Sequence, residues 1–449
     1  MTDKPDSARA GPQAGPRIET RIGPRIGIDG FNLAIPRGTG VATYARSLSH
    51  CLRQLGHPVD ALYGMSIAPG TPPAQRQIAF FEQLETERGW KRPPYPSVRW
   101  ARVMAQAWRG ATALPIPIDG GVDPRAMAHR LPAFDRIWNH DGLFSQATQF
   151  FRTFRRFMPI RIPDPPAVMH WTYPVPVRLE GACNIYTLHD LVPLRLPFAT
   201  LDHKPTYQAL VADILRHADH VCTVSECSRN DVLALFPDTD PARVTNTYQA
   251  VAPAPVPDPA SRLLQDGFGL EPGRYLLFFG SIEPKKNVLR LLQGFLAADI
   301  PIPLVVVSAR SWGAGPEGEL LRSATAGGRV RHIEYVPQDL LATLVHGARA
   351  VAFPSLYEGF GLPVLEAMQL GTPVLTTREG SLPEVAGDAA EYVDAYDPAS
   401  IGAGLHRLAT DDARCAALRT LGPVQAARFS MDAFAARMRA VYDQVLAPP

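Results

Sequence analysis

Cysteine is scarce: five in 449 residues, an odd number with no C-x-x-C spacing. Neither a disulfide framework nor a zinc site is indicated, and the usage fits a reducing compartment. Long apolar runs are missing too. None approaches the roughly 20 residues of a membrane-spanning helix, and the N-terminal stretch lacks the apolar core of a secretory leader. Residues 1–24, rich in Pro, Gly, Arg and Ala, are expected to form a disordered tail. Charge is balanced, 45 basic against 43 acidic side chains, so the net +2 argues against a broad nucleic-acid surface. A full glycine fingerprint is also absent. GTGVAT at 38–43 follows its strand by some nine residues and lacks a third glycine, which excludes dinucleotide binding there.

Proline is abundant: 45 residues, about twice ordinary usage, gathered in connecting segments. Hydrophobic content of 46% is that of a globular protein, and the length suits two domains. Short buried runs such as RIGID (25–29), CNIYTL (183–188), HVCTV (220–224), YLLFFG (275–280), PLVVVSA (303–309) and PVLTT (373–377) alternate with helical periodicity. That alternation predicts an α/β protein with parallel sheets wound on both faces. Val251–Pro259 (VAPAPVPDP) reads as the linker between a first domain over 25–255 and a second over 265–428, with an amphipathic helix over 429–446. The tract 62–165 is hard to read and Trp-rich. Within it, Trp100, Met104 and Trp108 fall on one helical stripe flanked by Arg99, Arg102 and Arg109, and Phe150–Arg161 repeats the theme. Such a helix can lie in a membrane interface or pack its aromatics into a core.

The most informative stretch is 353–390, FPSLYEGFGLPVLEAMQLGTPVLTTREGSLPEVAGDAA. Glu358 and Glu366 stand with seven residues between them, around a Gly-Phe-Gly-Leu-Pro turn. Gly359 and Gly361 permit close backbone approach or positive φ. Pro363 suits the first position of a helix. The amides of Phe360, Gly361 and Leu362 would then face outward and attract an anion such as a diphosphate. Glu358 sits just before the helix and Glu366 about one turn inside it.

This segment resembles the E-x7-E signature of the retaining GT-B glycosyltransferases, family 4 (glycosyl transferases group 1) in particular. The likeness spans about 25–55 and 167–446. It implies two Rossmann-like domains facing a cleft, with the last helix, within 429–449, returning to the first domain. It also implies a nucleotide-sugar donor as co-substrate, no cofactor and no metal. By position, Glu358 would contact the transferred sugar and Glu366 the ribose. Gly38 and Gly40 would line a loop against the donor diphosphate. His189, at a strand end in HDLVPLRLP, would contact the sugar and phosphate region. In GSIEPKKN, Lys286 would clamp the diphosphate, with Lys285 as the other candidate. Ser281 stands where the family commonly has Arg. An Asp-x-Asp pair, Asp238 and Asp240, mimics a metal motif of other transferases but lies in a Pro-rich turn, so a turn role is expected.

No residue presents itself as a nucleophile, so transfer without a covalent intermediate is expected. The style of the two motifs resembles bacterial mannosyltransferases of polysaccharide assembly, which favours GDP-mannose, with UDP- or dTDP-sugars as alternatives. The acceptor would be a glycan or a lipid-linked oligosaccharide, handled in the cytoplasm with possible peripheral contact with the inner membrane. Two other readings use the same scaffold: an epimerase, and a nucleotide-binding module without turnover.

Overall fold

The computed structural model describes residues 23–35, 40–85, 97–124, 127, 130–257, 259–308, 315–334 and 336–447. Strand β1 (Ile26–Asp29) is buried at every residue, as is β2 (Val59–Tyr63). Both faces are therefore covered, as parallel sheets require. The same sheet takes β3 (Arg136–Asn139), β4 (Val168–Trp171), β5 (Cys183–Leu188), β6 (His220–Thr223) and β7 (Val244–Asn246). Its order is β7-β6-β5-β4-β1-β2-β3, closed at one edge by the antiparallel strand Leu114–Ile116. The tract 62–165 is therefore not a mere insert: β3 lies parallel to β2, with Ala61 opposite Ile137. The edge strand β7 stops at Asn246, and Tyr248 adopts φ 54° where the chain turns away.

A second sheet holds β8 (Leu276–Phe279), β9 (Leu304–Val307), β10 (Val330–Ile333), β11 (Ala350–Phe353), β12 (Val374–Thr377) and β13 (Glu391–Val393). It is wholly parallel, in the order β10-β9-β8-β11-β12-β13. Both sheets direct their carboxyl ends, where open α/β sheets bind ligands, toward the groups described below.

Helix α1 (Gly40–Gln54) buries Tyr44, Leu48, Cys51 and Leu52, one apolar stripe facing the first sheet. In α2 (Val98–Arg109), Ser97 caps the first turn and Met104 and Ala107 enter the core beside α3 (Leu143–Phe154). The expected stripe splits. Trp100 is half-buried, whereas Trp108 lies 51% exposed against Phe150 and Phe154. The side chains of Arg99 and Arg102 lie outside the described residues.

Two further helices matter for the site, α4 (Glu226–Leu235) and α5 (Leu362–Gln369). The last helix, α6 (Met431–Leu446), crosses to the first sheet. Tyr442 there hydrogen-bonds His170 Nδ1 at 2.8 Å, and His170 Nε2 meets Thr187 Oγ1 at 2.8 Å. Tyr44 completes this buried chain at 2.9 Å from Thr187. Burial pulls the His170 pKa down to about 3, so the imidazole is neutral. Among the described residues no helix is long and apolar enough to cross a membrane.

Candidate active site

The groups singled out in the sequence gather where the two sheets' carboxyl ends meet. Helix α5 begins at Leu362, one residue earlier than expected, so Pro363 is its second residue, and Gly361 is its N-cap at φ 104°. That left-handed conformation explains Gly361. Gly359 has a different reason. Its φ is not positive, but a Cβ there would lie 2.2 Å from the His189 carbonyl oxygen and 2.9 Å from Asp190 Cβ. The loop 358–361 thus touches the other lobe backbone to backbone. Ser381 fixes the loop from behind, its hydroxyl 3.0 Å from the Glu358 carbonyl and 2.8 Å from that of Phe360.

The amides of Phe360, Gly361 and Leu362 donate to no acceptor among the described residues. With the start of α5 they form a pocket of positive potential. Beside it, Lys286 Nζ reaches Glu358 Oε1 at 2.7 Å. Both side chains are nearly buried, and the ammonium lies 4.7 Å from the centroid of the Phe353 ring. Asn287 holds this lysine in place: it adopts φ 62°, and its amide nitrogen donates to the carbonyls of Pro354 and Ala395. Glu366 sits one turn into α5, half-buried, with no hydrogen-bond partner among the described residues. Burial raises its pKa to about 7. A partnerless carboxylate at this depth is a ready acceptor for a pair of hydroxyls.

From the first lobe, His189 ends β5. Its Nε2–H donates to the Thr172 carbonyl at 2.8 Å, which leaves Nδ1 as the lone-pair nitrogen. Burial lowers its pKa, only partly offset by that hydrogen bond and by Asp190. Tyr44 packs edge-on against the imidazole at 4.9 Å. Asp190 accepts from the Val192 amide and stands 3.8 Å from Lys285. Burial disfavours the Lys285 ammonium, but Asp190, Glu358 and Glu283 outweigh this and raise its pKa. Lys285 is therefore a tether across the cleft, and Lys286 is the cation beside the free amides. The Ser281 hydroxyl donates to Glu283 at 2.6 Å, so its proton is already committed. Gly40 opens α1 and faces Leu362, whose Cδ1 would be 3.4 Å from a Cβ at that glycine. Gly38 lies outside the described residues. Asp240 caps a 3-10 turn through the Ala242 amide, the turn role expected of it.

Sequence reasoning placed Asp29 at a strand end beside the glycine loop but gave it no role, and it missed a second group altogether. Asp29, at the end of β1, ties the Phe31 and Thr172 amides together, and burial lifts its pKa to about 6 despite those bonds. Its position at a strand end was the only signal. The second is a set of residues on α4 and around Tyr357 and Glu384, which join the two lobes. No periodicity or motif records such a contact.

The chain matches the family description Glycosyl transferases group 1 over residues 265–423, and Glycosyl transferase 4-like domain over 39–246. It is 34% identical over 266 residues to the O-antigen chain mannosyltransferase B of Escherichia coli, covering 58% of this chain and 69% of that protein. It is 25% identical over 420 residues to the MMP alpha-(1→4)-mannosyltransferase of Mycolicibacterium hassiacum, covering 91% and 95%. The serotype-specific mannosyltransferase WbdA of Escherichia coli is 30% identical over 55% of this chain, which spans only 32% of that protein. Among solved structures, sucrose-phosphate synthase from Thermosynechococcus elongatus superposes with a TM-score of 0.63 at 17% identity, covering 94% of this chain and 99% of that one. HepE of Anabaena, solved with UDP and glucose, gives 0.62 at 13% identity, covering 94% and 100%. At these identities the two structures speak for the fold, which is GT-B: two Rossmann-like lobes about one cleft.

Proposed function

The chain belongs to the glycosyl transferases group 1, and from that membership we propose that it transfers a mannosyl residue from GDP-mannose to a glycan or lipid-linked oligosaccharide, with retention and without a metal. The observation that carries this reading is the Lys286–Glu358 pair beside three free amides, with partnerless Glu366 one turn away. The lobe over 25–255 would hold the acceptor and that over 265–428 the donor. The choice of mannose leans on the relatives, three of which bear the name mannosyltransferase.

The chemistry follows from charge. Breaking the bond between the sugar and the phosphate loads negative charge on the departing diphosphate. Fixed donors there lower the barrier, and Lys286 with the amides of Phe360–Leu362 supplies them. Glu358 accepts hydroxyls of the sugar, and Glu366 those of the ribose. Among the described residues the carboxylate best placed to act as a nucleophile is Glu358, and Lys286 already holds it. The leaving phosphate oxygen would take the acceptor's proton on the same face.

A thermal-shift panel of GDP, UDP and dTDP with their sugars tests the donor. GDP-mannose at 100 times its Kd adds about 2.7 kcal/mol, and UDP-sugars at equal concentration add little. The shift should grow from pH 6 to pH 8. The empty protein holds the Glu366 proton up to about pH 7, against 4.5 for an ordinary Glu, so this group's contribution to stability falls as pH rises through that window. Ribose hydroxyls prefer the ionised form and recover the loss. A response to UDP-sugars alone would move the donor assignment, and silence from all nucleotides would end the reading. Conversion of donor without any acceptor would instead indicate an epimerase.

Membrane contact is part of the same proposal. Val98, Trp108 and Phe154 are exposed at 78%, 51% and 38%. Around them stand exposed Arg109, Arg152, Arg155 and Arg156, the last with its guanidinium 5.0 Å from the Trp108 ring. Neither α2 nor α3 contains a carboxylate. Such a face suits an anionic headgroup layer. The protein should co-sediment with phosphatidylglycerol vesicles but not phosphatidylcholine ones, and Trp108→Glu should abolish this. Equal recovery with both vesicle types would remove the membrane from the proposal.

A further inference from the structure

Helix α4 belongs to the first lobe, yet residues of the second complete it. Its Ser225 cap accepts from the Ser228 amide at 2.9 Å, which satisfies one orphan donor of the first turn. The next two donors, the amides of Glu226 and Cys227, go to the carboxylate of Glu384 in the second lobe, at 2.8 and 2.6 Å. One turn further along, Asp231 is buried, takes Arg195 on one oxygen at 2.9 Å, and accepts the Tyr357 hydroxyl on the other. Between these two contacts, the Ser228 hydroxyl donates to the His189 carbonyl at 2.8 Å, with the Gly359 carbonyl 3.3 Å away.

Tyr357 and Gly359 flank Glu358, so α4 touches the donor loop on either side of its carboxylate. The contacts made by Glu384, Tyr357 and Gly359 span the lobes, and none of these can persist when they separate. Among the described residues, the side chains of Tyr357 and Glu384 hydrogen-bond to no group assigned above to donor or acceptor.

We propose that helix α4 is the dock on which the donor lobe closes, and that Tyr357 and Glu384 are positioning residues that set Glu358 opposite His189 in the closed enzyme. A charge on the donor lobe caps a helix of the acceptor lobe, and a buried phenol–carboxylate bond fixes the register between them. This rests on the transferase reading for its consequence in turnover, but not for the docking itself.

Amide hydrogen exchange on the full chain without ligand tests the docking alone. In wild type the amides of Glu226 and Cys227 are protected. In Glu384→Ala they exchange at least about tenfold faster, because an uncapped first turn opens locally, while β6 and β8 keep their protection. Unchanged exchange at those two amides overturns the proposal. Turnover of GDP-mannose tests the consequence. Tyr357→Phe, which removes one oxygen and keeps the ring, lowers kcat by about 10- to 100-fold with donor KM within twofold, as expected when geometry alone is lost. Asp231→Asn gives the same split should the phenylalanine variant fold poorly. A KM that rises as kcat falls assigns Tyr357 to donor binding and overturns the positioning role. Failure of every nucleotide in the thermal panel would sink the transferase reading while leaving the exchange result to decide the dock.

Discussion

Replacing Lys286 by Ala lowers turnover by about 10²–10³-fold, the usual loss when one fixed stabiliser of developing charge is removed. The geometry says why the effect is this large. Lys286 is nearly buried, is held by Asn287 through the next residue, and lies beside amides that donate to nothing else in the described protein. The substitution also strands Glu358, a nearly buried carboxylate, at a cost of about 3–5 kcal/mol in stability. The two effects separate in the double variant Lys286→Ala with Glu358→Gln. Its melting temperature returns toward wild type, because no buried charge lacks a partner, but its turnover does not. Recovery of turnover along with stability would mean that Lys286 serves only to neutralise Glu358. A loss of tenfold or less in the single variant would pass the clamp to Lys285.

Gly359→Ala should be as damaging to turnover, for a steric reason. A Cβ would stand 2.2 Å from the His189 carbonyl oxygen, and that oxygen is backbone and cannot swing aside. One lobe must retreat, by an ångström or so, and a displacement of that size at a reacting centre costs about 10²-fold. Each lobe also holds a core cluster of its own, so thermal stability should change less than turnover. Nucleotide affinity, read by calorimetry, should stay within about threefold, since the amides and Glu366 belong to one lobe. Full turnover in this variant would show that the backbone contact is not needed for the reaction, and the cleft would have to work more open than it stands here.

The half of the candidate site proposed for the donor could be picked out because it is compact in sequence. Glu358, the glycines, Leu362 and Glu366 lie on one turn and the helix that follows it, so spacing alone orders them. Lys286 came from a second short run after another strand. Both sheets were legible from buried β-branched and aromatic runs such as Leu276–Phe279. What could not be read depends on long-range approach. Glycine at 359 reads the same whether it serves φ or proximity, and only the position of His189 decides. Asp231 and Tyr357 are 126 residues apart, and neither lies on a stripe that announces the other. The face of α2 depended on where α3 packs, so Trp100 and Trp108 could not be told apart by their shared periodicity. In 62–165, β3 and its antiparallel neighbour are short, and Pro115 interrupts the neighbour, which hides a sheet edge.

The return of the last helix has a consequence for how the chain is made. His170 and Tyr442 are 272 residues apart, and the polar chain linking them with Thr187 and Tyr44 is fully buried. During synthesis at about 5–20 residues per second, the first lobe therefore waits on the order of tens of seconds for its final covering element. Through that interval His170 lacks one partner, and the stripe of α1 that receives Phe434 faces water. The nascent first lobe is thus an incomplete domain with a vacant, partly apolar seat. The second lobe, whose sheet closes between Leu276 and Val393, can finish folding before the first does.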